Sequence, residues 1–246
     1  MDTSPACQNE LQDAFQRPVD VEFASDGVNL YLLQCRPQSQ FAQTSDIKIP
    51  RDIPQNNIVF SANQYVSNGF VEGIDYVVYV DSFGYGNLTT SEDMREIGVI
   101  VSRLNRILPK HKFILIGPGR WGSKGDIKLG VPVIYSDINK TAMLIEVARE
   151  NAGYVPELSF GTHFFQDLVE ANIKYLPLYP DLPNNIFNEK FFSNTTNHLD
   201  DIVPNSSKFQ KVIKLINVSD FLANGKLNIY MDGESGNAVA IIKAKK

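Results

Sequence analysis

Cysteine is scarce in this 246-residue chain: there are two, Cys7 and Cys35, with no CxxC pair and no metal-ligand spacing around either. That excludes a disulfide framework and a thiolate metal site, and both read as free thiols in a reducing compartment. Basic residues are outnumbered, 23 Lys and Arg against 28 Asp and Glu, for a formal net charge of −5. A generally basic nucleic-acid surface is not expected, a local basic patch apart, and no nucleic-acid partner is expected. No apolar stretch approaches the roughly 20 residues of a membrane-spanning helix. The opening "MDTSPACQNELQDAF" has neither the basic start nor the apolar core of a signal peptide. The expectation is a soluble cytoplasmic protein with no membrane partner. Internal repeats and low-complexity tracts are also missing.

What is present is an alternation of strand and helix patterns rich enough for one large domain or two small ones. "NELQDAFQR" reads as a short helix, and "VDVEFASD" and "NLYLLQCRP" as two strands joined by a tight turn at Asp26-Gly27. A hairpin plus one helix cannot make a core alone. "QSQFAQTSDIKIPRDIPQNN" lacks periodicity and carries two prolines, as a linker would. Strands follow at "NIVFSANQYVS" and at "IDYVVYVDS", the latter apolar enough to be central. Ser91–Leu108 reads as a helix with Ser91 as N-cap, one apolar face from Ile97 to Leu108, and a stop at Pro109. "KFILIG" and "VPVIYSDI" are expected strands on either side of the loop "GPGRWGSKGDIKLGVP". "TAMLIEVARE" is ambiguous, "FGTHFFQDLVEAN" helical and "IKYLPLYP" a strand. From Asn185 to Asn197 the composition suggests a surface excursion. The tail alternates the strand "KVIKLINV", a short helix "SDFLANG" closed by a Gly225 C-cap, and the strands "KLNIYMDG" and "NAVAIIK". The fold class expected is mixed α/β.

Alternation in the first hairpin puts Glu22 opposite in face to Val21 and Phe23, and puts Gln34 and Arg36 together on one face of the next strand. A carboxylate, an amide and a guanidinium on one surface suit a nucleotide triphosphate, the carboxylate holding a divalent metal and the other two binding phosphoryl oxygens. The same pattern also describes the polar outer face of a two-sided sheet. "PVDVEFASDGVNLYLLQCRP", Pro18 to Pro37, resembles the segment that closes the ATP-grasp domain of phosphoenolpyruvate synthase and pyruvate, phosphate dikinase. That family carries a D-[IV]-E-[WF] strand, a short turn, and L-Y-x-[LV]-Q-x-R-P. The resemblance implies ATP and Mg2+ as cofactors, with Glu22 as metal ligand, Gln34 and Arg36 on the nucleotide phosphates, and Asp20 at the position of the strand acid. It also implies that the parts of an ATP-grasp domain that hold adenine and most of the triphosphate lie upstream of this segment. The phosphohistidine signature G-G-x-T-S-H is missing, and a pyruvate-binding barrel alone would need about 250 residues. This chain alone is therefore expected to be inactive.

In the second half, the "GPGRWGS" loop leaves an apolar strand. Gly117 and Gly119 permit a sharp turn, Arg120 offers a planar charged fork, and Trp121 a flat stacking surface, with Lys124 and Lys128 adding positive charge. Two readings stand: an anion or nucleotide site at a strand end, or a rigid corner of Arg120 and Trp121 packed over the sheet edge. The loop is not a P-loop, because the G-x-x-x-x-G-K-[ST] order fails. His163, at the start of a helix, could bind phosphate or act as a base, or could cap the helix or be satisfied in the core. His111 and His198 sit in polar segments and suggest nothing. Asp81 and Asp137 are strand-end acids that could approach the same pocket. "GPGRWGS", "LGVPV" and "GTHFFQ", in that order, resemble the C-terminal region of large bacterial proteins that bear a PEP/pyruvate-binding domain of the dikinase kind.

The expected organisation is an ATP-grasp C-terminal hairpin over residues 1–40, a linker over 41–56, and a mixed α/β domain over 57–246. The primary functional expectation is part of an ATP-dependent, kinase-like pyruvate phosphotransferase, with Glu22 for metal and Gln34, Arg36, Arg120 and His163 for a nucleotide or another phosphate-bearing small molecule. No catalytic residue is assigned. The alternative is a non-catalytic anion- or nucleotide-sensing domain attached to a kinase-like unit.

Overall fold

A computed structural model describes residues 4–16, 19–37, 47–123, 127–149, 158–159 and 162–244. Two compact units divide the chain, residues 1–44 and residues 45–246.

In the first unit, helix α1 (Ser4–Phe15) precedes strands β1 (Val19–Ser25) and β2 (Leu30–Pro37), which pair antiparallel. The turn closes where the sequence places it. Gly27 adopts φ +89, and the Asp26 carboxylate accepts the N–H groups of Val28 and Asn29 at 2.9 and 2.7 Å and the Tyr31 hydroxyl at 2.8 Å. Among the described side chains of this unit only Val19 is buried, and Phe23, Tyr31, Leu32 and Leu33 are about half exposed or more.

The second unit contains β3 (Ile58–Ala62), β4 (Gly69–Ile74), β5 (Tyr76–Val80), α2 (Ser82–Gly86), α3 (Ser91–Ile107), β6 (Phe113–Pro118), β7 (Met143–Val147) and α4 (His163–Glu170). It continues with β8 (Lys174–Leu178), α5 (Glu189–Asn194), α6 (Leu199–Ile202), β9 (Ile213–Asn217), α7 (Val218–Phe221), β10 (Gly225–Asp232) and β11 (Asn237–Ala244). Strands β8-β7-β6-β5-β9 form one sheet, parallel except for β9 at its edge, and β3-β11-β10-β4 form an antiparallel second sheet. A mostly parallel sheet must be covered on both faces, which explains the continuous apolar runs "YVVYV" and "FILI". Val78, Leu115 and Leu144 pack against Ile97, Ile100 and Leu104 of α3 on one face. Val77, Ile114, Ile116 and Ile145 pack against Val71, Ile229 and Ala240 of the second sheet on the other. Helices, sheet and sheet form three layers, and each fully buried aliphatic side chain contributes about 1.5–3 kcal/mol. The mixed α/β class is as expected.

Local expectations fail where packing overrides pattern. The cap of α3 is Thr90, whose hydroxyl accepts the Asp93 N–H, and Ser91 is already helical. "VPVIYSDI" forms no strand: Pro132 lacks an N–H, and the segment crosses α3 where Gly98 would bring a Cβ within 2.5 Å of the Pro132 carbonyl. Val131 and Val133 are buried there all the same. The stretch 185–197 is no surface excursion, since Phe191 and Phe192 of α5 are core residues and Phe187 stacks on Phe192 at 4.4 Å. Gly225 opens β10 instead of capping α7, while Asn224 takes the left-handed φ of 57. Within the ambiguous "TAMLIEVARE", Met143–Val147 form strand β7.

Candidate functional site

The hairpin register sets Glu22 directly opposite Gln34 and Asp20 opposite Arg36. Residues two apart on a strand and residues paired across it share a face, so these four positions lie on one side of the ribbon. A bulge follows at once: Glu22 faces Gln34, but Phe23 faces Leu32, so Leu33 is the extra residue beside the Glu22–Gln34 pair. Bulges re-aim side chains and raise the local twist, and this one sits next to the carboxylate–amide pair. No cluster of three or more His, Cys, Asp or Glu suited to a metal occurs among the described residues. One or two carboxylates are nevertheless the protein share that Mg2+ ordinarily takes alongside phosphates and several waters, and Glu22 has the chemistry for that share.

In the second unit the polar focus is a residue that the sequence reading passed over. Glu146, on β7, is fully buried. Its Oε1 accepts the Trp121 N–H at 2.8 Å, its Oε2 accepts the Ser159 N–H at 2.7 Å and the Tyr175 hydroxyl at 2.7 Å, and the Ser159 hydroxyl meets Oε1 at 2.5 Å. Ser159 Oγ also lies 2.9 Å from the Trp121 carbonyl. One hydroxyl proton cannot serve two acceptors. The count closes when Glu146 carries a proton at Oε1, donating to Ser159 Oγ, which then donates to the Trp121 carbonyl. Burial pushes the Glu146 carboxyl pKa up, opposed by its hydrogen bonds, in the direction that favours this state. Glu146 thus ties the loop after β6 and the loop before α4 to the same strand.

Those two loops wall a cavity of about 430 Å3, lined in part by Arg120, Ser123, Tyr135, Thr162, His163 and Asp167. Arg120 and His163, 43 positions apart in the chain, face one space. It lies beyond the carboxyl ends of β6 and β7, where α/β sheets commonly hold ligands. Thr162 caps α4 by accepting the Phe165 N–H at 3.2 Å while donating to the Ser159 carbonyl at 2.7 Å. His163 is therefore neither the cap nor a satisfied core residue; it is exposed at the first helical position.

Other expectations for this loop change. Trp121 is only 1% exposed, so it is a core residue and no stacking platform. Gly117 lies within β6, where a Cβ would meet the Trp121 ring at 2.6 Å; its role is to admit the indole. Gly119 does turn, with φ +57. Lys124 lies outside the described residues, as does Gly161 of "GTHFFQ". Asp81 and Asp137 do not line the cavity. Asp81 caps α2 and accepts the Tyr79 hydroxyl, and Asp137 accepts from Ser102 and from the Ile134 N–H. His198 proves to be an ion-pair hub, with Nε2 2.6 Å from Asp220 and Nδ1 3.1 Å from Asp201; these carboxylates raise its pKa. The signal for Glu146 was present in the sequence as one acidic residue inside "MLIEV". A charge in a fully buried strand needs partners.

No helix among the described residues is long and apolar enough to cross a membrane. No curated protein and no solved structure matches the chain. Over residues 5–57, the segment that holds the hairpin, the chain is similar to the pyruvate phosphate dikinase AMP/ATP-binding domain family, and the match does not extend to the "GPGRWGS" and "GTHFFQ" motifs.

Proposed function

We propose that the β1–β2 hairpin supplies the metal- and phosphate-contacting edge of an ATP site in a phosphotransferase of the phosphoenolpyruvate synthase and pyruvate, phosphate dikinase kind. The observation that carries this reading is the register: Glu22 opposite Gln34 and Asp20 opposite Arg36, within the segment similar to an AMP/ATP-binding domain. Glu22 would hold Mg2+, and Gln34 and Arg36 would contact phosphate oxygens. The metal, when bound, neutralises charge on the phosphoryl groups; the chain's own part is to orient them. Calorimetric titration with ATP in the presence of Mg2+ or of EDTA tests it. Metal-dependent binding is expected, weakened about tenfold or more by Arg36→Ala and made insensitive to Mg2+ by Glu22→Gln. Binding indifferent to both substitutions would overturn it.

A second reading rests on a different observation, the cavity that gathers Arg120 and His163. In this reading residues 57–246 form an anion-binding module accompanying the nucleotide segment. Arg120→Ala should then weaken the binding of phosphate compounds to the second unit, as calorimetric titration with methyl phosphate would read.

A further inference from the structure

The cavity beside α4 has a polarity that a simple anion does not explain. Its donors are the Arg120 fork, an N–H of His163 in either protonation state, and the hydroxyls of Ser123 and Tyr135. The N–H groups of His163 and Phe164, at the first two positions of α4, have no intrahelical acceptor. Trp121 forms part of the same wall, and its buried indole N–H has no partner among the described residues. Native interiors rarely leave such a donor unmatched. This many donors suit a phosphate, with three terminal oxygens, better than a carboxylate, with two.

Asp167 breaks the pattern. It lines the same cavity four residues after His163, on the same face of α4 and about 6 Å further along the axis. A carboxylate there repels a bare anion and accepts a hydrogen bond from a donor. We propose that the cavity binds a small organic phosphate carrying a hydroxyl group, its phosphate held at Arg120 and the start of α4 and its hydroxyl read by Asp167. This rests on the reading of residues 57–246 as an anion-binding module and names its ligand class. A two-ended ligand also accounts for the size, since about 430 Å3 far exceeds a lone oxyanion and falls in the range of small-molecule sites.

The two requirements separate experimentally. Calorimetric titrations of the full chain at fixed ionic strength would compare glycerol 3-phosphate, methyl phosphate and glycerate. Glycerol 3-phosphate should bind about tenfold more tightly than methyl phosphate, the hydroxyl donating to a charged acceptor. Arg120→Ala should weaken both phosphates about tenfold or more, with Arg120→Lys between it and wild type because it keeps charge without the planar fork. Asp167→Ala should abolish the preference between the two phosphates while methyl phosphate binds as well as before or better. Unchanged thermal transitions would show that the variants fold. Arg120-dependent binding with no preference for the hydroxyl, or with a preference that survives Asp167→Ala, overturns the ligand class but leaves the anion reading standing. Tighter binding of glycerate than of glycerol 3-phosphate overturns the assignment to phosphates. Failure of all three probes, or indifference to Arg120→Ala, overturns both.

Discussion

The hairpin and the α4 cavity present polar side chains by opposite means. In the hairpin, spacing within two adjacent strands does all the arranging: positions 20, 22, 34 and 36 meet because an antiparallel register makes them meet. Of the described side chains in that unit only Val19 is buried. In the cavity, residues from separate loops converge because a buried carboxyl group fixes both loops to one strand. A local constellation of the first kind leaves a contiguous motif, and the family similarity over residues 5–57 falls on it. The second kind disperses its determinants, with its organising residue fully buried.

The largest effect that would break this comparison comes from Glu146→Ala. Two backbone N–H groups and the Tyr175 hydroxyl would lose their acceptor in the interior, and the Ser159 hydroxyl its donor, at a cost of about 4 kcal/mol to the second unit. Glu146→Gln should be milder, about 2 kcal/mol, yet not neutral. Each carboxylate oxygen faces one obligatory donor, Trp121 N–H on one side and Ser159 N–H on the other, so an amide NH2 opposes an N–H whichever way it turns. Urea denaturation followed by the Trp121 fluorescence reads this directly, Trp121 being the sole tryptophan. Phosphate binding should weaken in parallel, since both cavity loops depend on Glu146. ATP titration of the hairpin should not change. A hairpin that lost binding in these variants would show that the two regions are not independent.

Next in size is Gly122→Ala. Gly122 has φ +74, and a Cβ there would stand 2.4 Å from the Phe164 ring. Left-handed strain and the clash together predict a loss of about 2 kcal/mol. The displacement would fall where the β6 loop rests on α4, so the affinity for glycerol 3-phosphate should drop more than the thermal transition suggests. A Gly122→Ala protein with wild-type stability would mean that the loop accommodates the methyl group and does not act as a rigid wall.

How much of this was legible in the sequence follows the same division. The hairpin, its turn and the shared face of Glu22 and Gln34 can all be read from alternation, because strand geometry is local. The long helix α3 and the buried strands β5 and β6 are legible for the same reason. Arg120 and His163 could be singled out by residue type, but their common cavity could not: it depends on a parallel sheet order and on loops pinned through Glu146. "VPVIYSDI" misleads because its alternating Val131 and Val133 are buried against α3, and burial alternates in any extended chain laid on a core. Phe191 and Phe192 were obscured by polar neighbours, since a six-residue helix is too short to show a period.

The smallest effect, and the sharpest contrast, is the sign of the pH dependence. Asp26 in the hairpin turn has its pKa held below the ordinary carboxylate value, first by the Asn29 and Val28 N–H groups and then by Tyr31 and the Asn29 side chain. The unfolded chain therefore takes up this proton more readily, and the turn's contribution is present above the unfolded value of 3.8 and fades as pH falls below it. Glu146 is shifted the other way by burial, so the folded second unit keeps a proton that the unfolded chain releases. Its contribution is complete below the unfolded value of 4.5 and declines as pH rises from there towards the raised folded value. His198 adds to that decline, because its partners Asp220 and Asp201 raise its pKa and their hold is lost as pH climbs from 6.5 through the folded value. Amide hydrogen exchange reports the units separately. On acidification below pH 4, protection at the 26–29 turn should fall while protection around Trp121 and Ser159 persists; on raising the pH, the slope at Trp121 and Ser159 should reverse. Asp26→Asn should flatten the first dependence, and His198→Gln should flatten the part of the second that lies above 6.5. A common sign in both units would show that Glu146 is ionised in the folded chain, with the Ser159 hydroxyl donating to it and the Trp121 carbonyl left without that proton.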